Sequence, residues 1–299
     1  MPRSIGLAHI IRHDDGTSTG LWGPFTLYSA FQPIFTFTDG KLFATAFEGL
    51  IRPFRQDQPL TPSAFFAMLP TIDKLHVETL TRTLHLLNAG ACLPQDASIF
   101  INFDPSLFHD RAVVDAALRE MRLVLQEAGI GAHRIVCEVT EQKSASRETL
   151  VLFVEALRAN GFRIAVDDYG AEDSDVNRVK ELRPDIVKFD AHWITQLMAS
   201  GPGFGLLTAM VEIFAKQGIV TVFEGIEENW QLELAERSGA SMVQGYVLAR
   251  PEIAPTSFSV FRQAAVEKPL ERKVSSSTPA PVLERVGRAP KAFGRRTGQ

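Results

Sequence analysis

The chain has 299 residues, 45% of them apolar, enough to bury the core of one large domain or two ordinary ones. The formal charge of −4 is uneven: residues 266–299 carry eight Lys/Arg against three Glu, or +5, leaving −9 on residues 1–265. An acidic body argues against a broad surface for polymeric nucleic acid, but not against a nucleotide held through metal ions, since a bound cation inverts the local field.

No stretch approaches the length of uncharged apolar residues that a membrane span needs, and none is expected. The opening MPRSIGLAHIIRHDDG lacks the apolar core of a secretion signal. Cys92 and Cys137 each sit among apolar residues with no CxxC pattern, which reads as buried reduced thiols in the cytoplasm. Residues 1–26 show no sensor pattern and are taken as an N-terminal extension.

From residue 27 the runs LYSAFQPIFTF and KLFATAFEGLI flank Asp39-Gly40, which predicts an antiparallel hairpin. Pro33 suits an edge or a strand end. A helical region over 62–89 carries Leu75, Leu80, Leu84 and Leu87, and SIFINF (98–103) reads as a buried strand before a helix over 110–128. Next come a strand at RIVCEV (134–139), a helix over 146–159 that Ser146 caps, the strand FRIAVDD and a short helix over 174–182. The strand DIVKFD precedes a helix over 204–216, GIVTVFEG (218–225) precedes a helix over 228–238 ending at Gly239, and SMVQGYVLARP is a last strand closing at Pro251. Eight strands mostly separated by helices suggest an α/β fold of (β/α)8 barrel type, irregular at its hairpin start. A doubly wound sheet meets the same pattern, because strand order is invisible in sequence. The barrel is assigned to 27–255 and a short segment to 256–265. Residues 266–299, rich in Pro, Ser and basic residues, read as a disordered tail that either solubilises or touches an acidic protein partner, nucleic acid or membrane.

A polar residue closes nearly every apolar run: Glu48, Asn102, Glu138, Asp167 with Asp168, Lys188, Glu224 and Gln244. Active sites of βα barrels lie at the C-terminal strand ends. Five carboxylates on one mouth cannot all stay ionised without countercharge, and one lysine does not balance them. Carboxylate and carboxamide oxygens suit a hard divalent cation such as Mg²⁺ or Mn²⁺, and no histidine joins them, which disfavours zinc. Adjacent residues of a strand point to opposite faces, so Asp167 and Asp168 share a site only if the backbone turns there. Two ions about 3.5–4 Å apart, with a lysine beside them, point to hydrolysis of a phosphate ester.

At this point the chain resembles the EAL family of cyclic-di-GMP phosphodiesterases. The resemblance rests on FQPIF, EGLIR, INFDP, CEVTEQ, VDDYG, DIVKFD, FEGIEE and VQGYVLARP, in family order across residues 27–251. It implies a modified βα barrel with an antiparallel first strand and two divalent cations, Mg²⁺ or Mn²⁺. Glu48, Asn102, Glu138, Asp167, Asp168 and Glu224 would be the metal ligands, with Asp167 bridging. Lys188 would stand beside the attacking water, and Gln32 and Arg52 would contact the dinucleotide. Glu227 and Gln244 would complete the polar wall, and Glu141 would anchor the loop after the fifth strand. The implied reaction opens cyclic di-GMP to linear pGpG, and the implied working form is a homodimer. The alternative is an inactive cyclic-di-GMP receptor that signals through a protein partner.

The chain departs from the family in two motifs. Gly49 replaces the alanine of the name-giving motif, and AEDSDVNRV, with Glu172, Asp173 and Asp175, replaces a loop of small and aromatic residues. No cyclase or sensor domain is expected upstream of the barrel. The seven histidines show no metal-like spacing and receive no catalytic role.

Overall fold

The structure is a computed structural model, described here for residues 7–108, 110–139, 147–171 and 175–258. Contacts divide the chain into Met1–Pro269 and Leu270–Gln299, the second lying wholly outside the described residues. So do Glu141, Ser146, Glu172, Asp173 and the basic tail.

In chain order the strands are β1 (Ile10–Arg12), β2 (Ser18–Trp22), β3 (Phe25–Thr38), β4 (Lys41–Arg55) and β5 (Gln58–Pro59). Helices α1 (Pro62–Ala67) and α2 (Lys74–Cys92) lead to β6 (Ser98–Phe103), α3 (Arg111–Ala128), β7 (Ile135–Val139) and α4 (Arg147–Ala159). Then follow β8 (Arg163–Tyr169), α5 (Asp175–Leu182), β9 (Ile186–Phe189), α6 (Ala191–Met198) and α7 (Gly201–Lys216). The described chain ends with β10 (Val220–Phe223), α8 (Asn229–Ser238), β11 (Met242–Val243) and β12 (Glu252–Ile253).

Eight of these strands close on themselves in the order β3-β11-β10-β9-β8-β7-β6-β4, with β4 paired back to β3. Strand β3 runs antiparallel to both its barrel neighbours, and the other pairings are parallel. Closure excludes the doubly wound alternative and confirms the barrel with an antiparallel first strand. The hairpin turns at Asp39 (φ 49°) and Gly40 (φ 73°), the paired left-handed residues of a two-residue hairpin loop.

Several local expectations are corrected. The last run, read as a strand to Pro251, pairs only at Met242–Val243, and a bend and turn follow over residues 245–248. Helix α6 has no counterpart in the expected elements, although Asp190 caps it by accepting the Trp193 N–H at 2.8 Å. Within the stretch taken as an N-terminal extension, Ile10–Arg12 and Ser18–Trp22 form β1 and β2, and β2 pairs with the start of β3. Pro33 lies in mid-strand, where β12 pairs at Ala30 and Phe31 and β11 at Phe35 and Thr36. The proline occupies the gap between those two ladders, so its missing N–H leaves neither of them unpaired.

Alternation along the strands divides the core into layers. Phe47, Ile99, Ile101, Ile135, Cys137 and Ile164 face outward to the first helices, and Val187, Phe189 and Phe223 to the later ones. Inside the barrel, Ile34, Ala46, Phe100, Val136, Ala165, Ile186 and Val222 meet in a small apolar plug, with Met242 packed against it.

Candidate active site

The apolar plug sets the site. Two residues beyond each parallel member the side chain again points inward, and those positions are Glu48, Asn102, Glu138, Asp167, Lys188, Glu224 and Gln244. On β3, which runs the other way, the equivalent inward residue is two positions earlier than Ile34, which is Gln32. Strand period and closure together therefore lay a polar layer directly on top of the plug, at the end where βα barrels carry chemistry.

Lys188 stands at its centre, 1% exposed. Its Nζ contacts Glu138 Oε1 and Glu224 Oε1, and lies 3.2 Å from Asp167 Oδ1 and 3.7 Å from Glu48 Oε2. Glu48 is held on both oxygens: Gln244 Nε2 donates to Oε2 at 2.9 Å and Asn102 Nδ2 to Oε1 at 3.4 Å. The required turn at the adjacent aspartates is present. Asp168 has φ 54°, and the β8–β9 register shifts between Val166 and Tyr169. This bulge rotates Asp168 toward the same rim as Asp167.

Four carboxylates around one ammonium leave a local excess of negative charge. Burial, then Glu48, push the Glu138 carboxyl well above the usual range, Lys188 acting in the opposite sense. Burial likewise carries Glu224 up to about 8 against the pull of Lys188, with Asp167 and Glu48 adding to the rise. Asp168 is raised by burial and by Asp167. Lys188 moves up: burial opposes its charge, but Asp167, Glu138, Glu224 and Glu48 together outweigh it.

The donor set fits divalent cations. Apart from the ammonium, Glu138 Oε1 and Oε2, Asp167 Oδ1 and Glu224 Oε1 are buried with no hydrogen-bond donor. Glu48, Glu138 and Glu224 form one group whose oxygens lie within 4.8 Å of one another, and Asp167, Asp168 and Glu224 form another. Glu224 is common to both groups. Such an all-oxygen shell suits a hard cation.

The remaining candidates sit around this centre. Gln32 is the cross-strand partner of Glu48 and its Nε2 reaches Ala249 O at 3.4 Å. Arg52 is half-buried two pleat repeats beyond Glu48 along β4, donating to Ile51 O. Glu227 is exposed and is not joined to the Lys188 cluster by any contact among the described residues. Its N–H donates to Gln231 Oε1, and the neighbouring Glu228 forms the capping box of α8. Two features escaped the sequence reading. Tyr246, 47% exposed on the mouth, stacks under Arg250 at 4.4 Å, and His85 of α2 packs behind β4. A cleft of about 430 Å³ opens beside Asn102, between β4, β6 and α2. A histidine inside the run Leu84–Leu87 was the one available signal for the second feature.

The chain is thus a closed βα barrel carrying an oxygen-rich, lysine-centred cluster on its C-terminal rim. Within it, the family model for the EAL domain matches residues 25–251, and the chain belongs to that family. Similar proteins include YkuI of Bacillus subtilis, 29% identical over 74% of this chain and 54% of its own length. The cyclic di-GMP phosphodiesterase RocR of Pseudomonas aeruginosa is 28% identical over 64% of this chain and 49% of its own. The chain thus spans about half the length of these two relatives. Among solved structures, YkuI in complex with cyclic di-GMP and calcium superposes with a TM-score of 0.65, covering 76% of this chain and 56% of that one. BlrP1 of Klebsiella pneumoniae, in a manganese and cyclic di-GMP complex, gives 0.67 over 84% of this chain and 62% of that one; at 23% identity it supports the fold alone. No helix among the described residues is long and apolar enough to cross a membrane.

Proposed function

We propose that the chain is a metal-dependent phosphodiesterase that opens cyclic di-GMP to linear pGpG. The observation that carries this reading is the set of buried carboxylate oxygens around Lys188 that lack hydrogen-bond donors. Glu48, Asn102, Glu138, Asp167, Asp168 and Glu224 would hold two divalent cations, which when bound supply a deprotonated water and neutralise charge on the phosphate oxygens.

The chain's own residues contribute orientation and charge. Lys188, kept ammonium by its four acids, acts as a hydrogen-bond donor and fixed positive charge beside the attacking water, not as a base. Gln244 and Asn102 fix the two oxygens of Glu48, so this ligand needs little rearrangement. Arg52 presents a forked donor pair suited to phosphate, and Gln32, opposite Glu48 on β3, contacts the dinucleotide in this reading. In this reading Glu227 completes the polar wall and Glu141 anchors the loop after the fifth strand. The same reading makes the working form a cytoplasmic homodimer, which sedimentation of the active protein tests.

Pure protein incubated with cyclic di-GMP and Mg²⁺ or Mn²⁺ releases pGpG, and Asp167→Asn abolishes release. Folded protein that yields no product with either ion refutes the reading.

A further inference from the structure

Gly49 follows Glu48 directly, and its pleat position faces away from the site, toward α2. A methyl built on Gly49 would lie 3.0 Å from His85 Cγ and 3.2 Å from its Cβ and Cδ2. So close an approach is tighter than nearly all Cβ contacts, so an alanine methyl at this position requires the imidazole to give way by a few tenths of an ångström. His85 is 3% exposed and tied down on the neighbouring strand. Its Nδ1 is 2.8 Å from Ser29 Oγ, and its ring meets the edge of Phe31 at 6.3 Å between centroids. Phe31 is the cross-strand partner of Gly49, and Gln32 that of Glu48. One side chain of α2 therefore touches β3 and β4 at the rung next to the one that carries Glu48. Burial holds the imidazole neutral, its pKa depressed to about 3, so the contact is one of shape and a single hydrogen bond.

We infer that His85 is a positioning residue for Glu48: with Gly49 it forms a matched pair that clamps β3 and β4 and fixes the direction in which Glu48 enters the metal-binding rim. The departure from alanine in the motif and the buried histidine are then one feature. The inference rests on the metal-binding reading given above.

The test is a double-mutant cycle of wild type, Gly49→Ala, His85→Ala and the double variant, read by calorimetric titration of nucleotide-free protein with Mn²⁺. With His85 present, Gly49→Ala weakens Mn²⁺ binding about tenfold, whereas with His85→Ala the same methyl changes it by less than about twofold, because the space is open. Equal losses in the two backgrounds, or an unchanged affinity in Gly49→Ala, overturn the inference. Circular dichroism checks each fold. If Gly49→Ala alone fails to fold, recovery in the double variant supports the clash and failure there refutes it. Wild-type protein that binds no Mn²⁺ would sink the metal reading and the inference together, whereas wild-type binding without coupling sinks the inference alone.

Discussion

Replacing Lys188 with methionine keeps the length of the side chain and deletes the charge that four carboxylates share. At an effective dielectric of about 20, the ammonium attracts Asp167 at 3.2 Å by about 5 kcal/mol and Glu48 at 3.7 Å by about 4.5 kcal/mol. Desolvation of the buried amine offsets most of that gross figure. What survives is the cost of leaving partners buried and uncompensated, about 3–5 kcal/mol when one member of a buried pair is removed. For a domain of this size that corresponds to a Tm lower by about 6–20 °C, at about 2–4 °C per kcal/mol. Proton uptake by Glu138 and Glu224 softens the loss at low pH, so the deficit is smaller at pH 6 than at pH 9. Millimolar Mn²⁺ narrows it further, because cations replace the missing charge. Thermal unfolding of Lys188→Met and wild type at both pH values, with and without Mn²⁺, measures all three effects. Turnover falls with it, through kcat more than KM. A metal-free Tm within about 2 °C of wild type at pH 9 would show that Lys188 does not neutralise the rim.

Three further outcomes follow from the same geometry. In metal-free wild type, Glu224 in the fold titrates at about 8, above its ordinary 4.5; the folded state then holds a proton that the unfolded chain has released. Stability therefore falls as pH rises from 4.5 through 8, and Mn²⁺ flattens the slope; urea unfolding across that range with no difference between the two series contradicts the assignment. Asp168→Asn keeps a residue that accepts the left-handed φ of 54° while removing a charge. Its Tm stays near wild type, and Mn²⁺ affinity by calorimetry drops about tenfold or more, a loss of at least 1.4 kcal/mol. Gly245→Ala drives a methyl into the Ile226 carbonyl beside Gln244, costing about 1–3 kcal/mol by overpacking and raising the Mn²⁺ needed for half-maximal turnover. An unchanged Tm in that variant would mean that the loop after β11 yields freely.

Much of the site could be read before any fold was known, because strand ends leave a mark in sequence: an apolar alternation broken by one charged or amide residue. Glu138 after IVC and Lys188 after IV stood out this way, since either is costly to bury alone. Other parts were invisible for physical reasons. The last strand looked long because Tyr246, Val247 and Leu248 continue the apolar run, but Val247 and Leu248 pack on the core without pairing in the ladder and Tyr246 stays exposed. Helix α6 is short, and its start overlaps the polar residues that also mark the end of β9. Glu227 shares its position with helix-capping acids, and sequence cannot separate a rim carboxylate from one that begins a helix.

The amino-acid order by itself determined the alternation along each strand, the hairpin at Asp39-Gly40 and which residue types would arrive at the strand ends, because these depend only on neighbours within a few positions. Only the closed barrel decided that Glu48, Glu138, Asp167 and Glu224 would meet around one lysine, and that a histidine from α2 would press on Gly49. Those contacts join residues 21 to 140 positions apart, and local periodicity carries no term for the ring closure that brings them together.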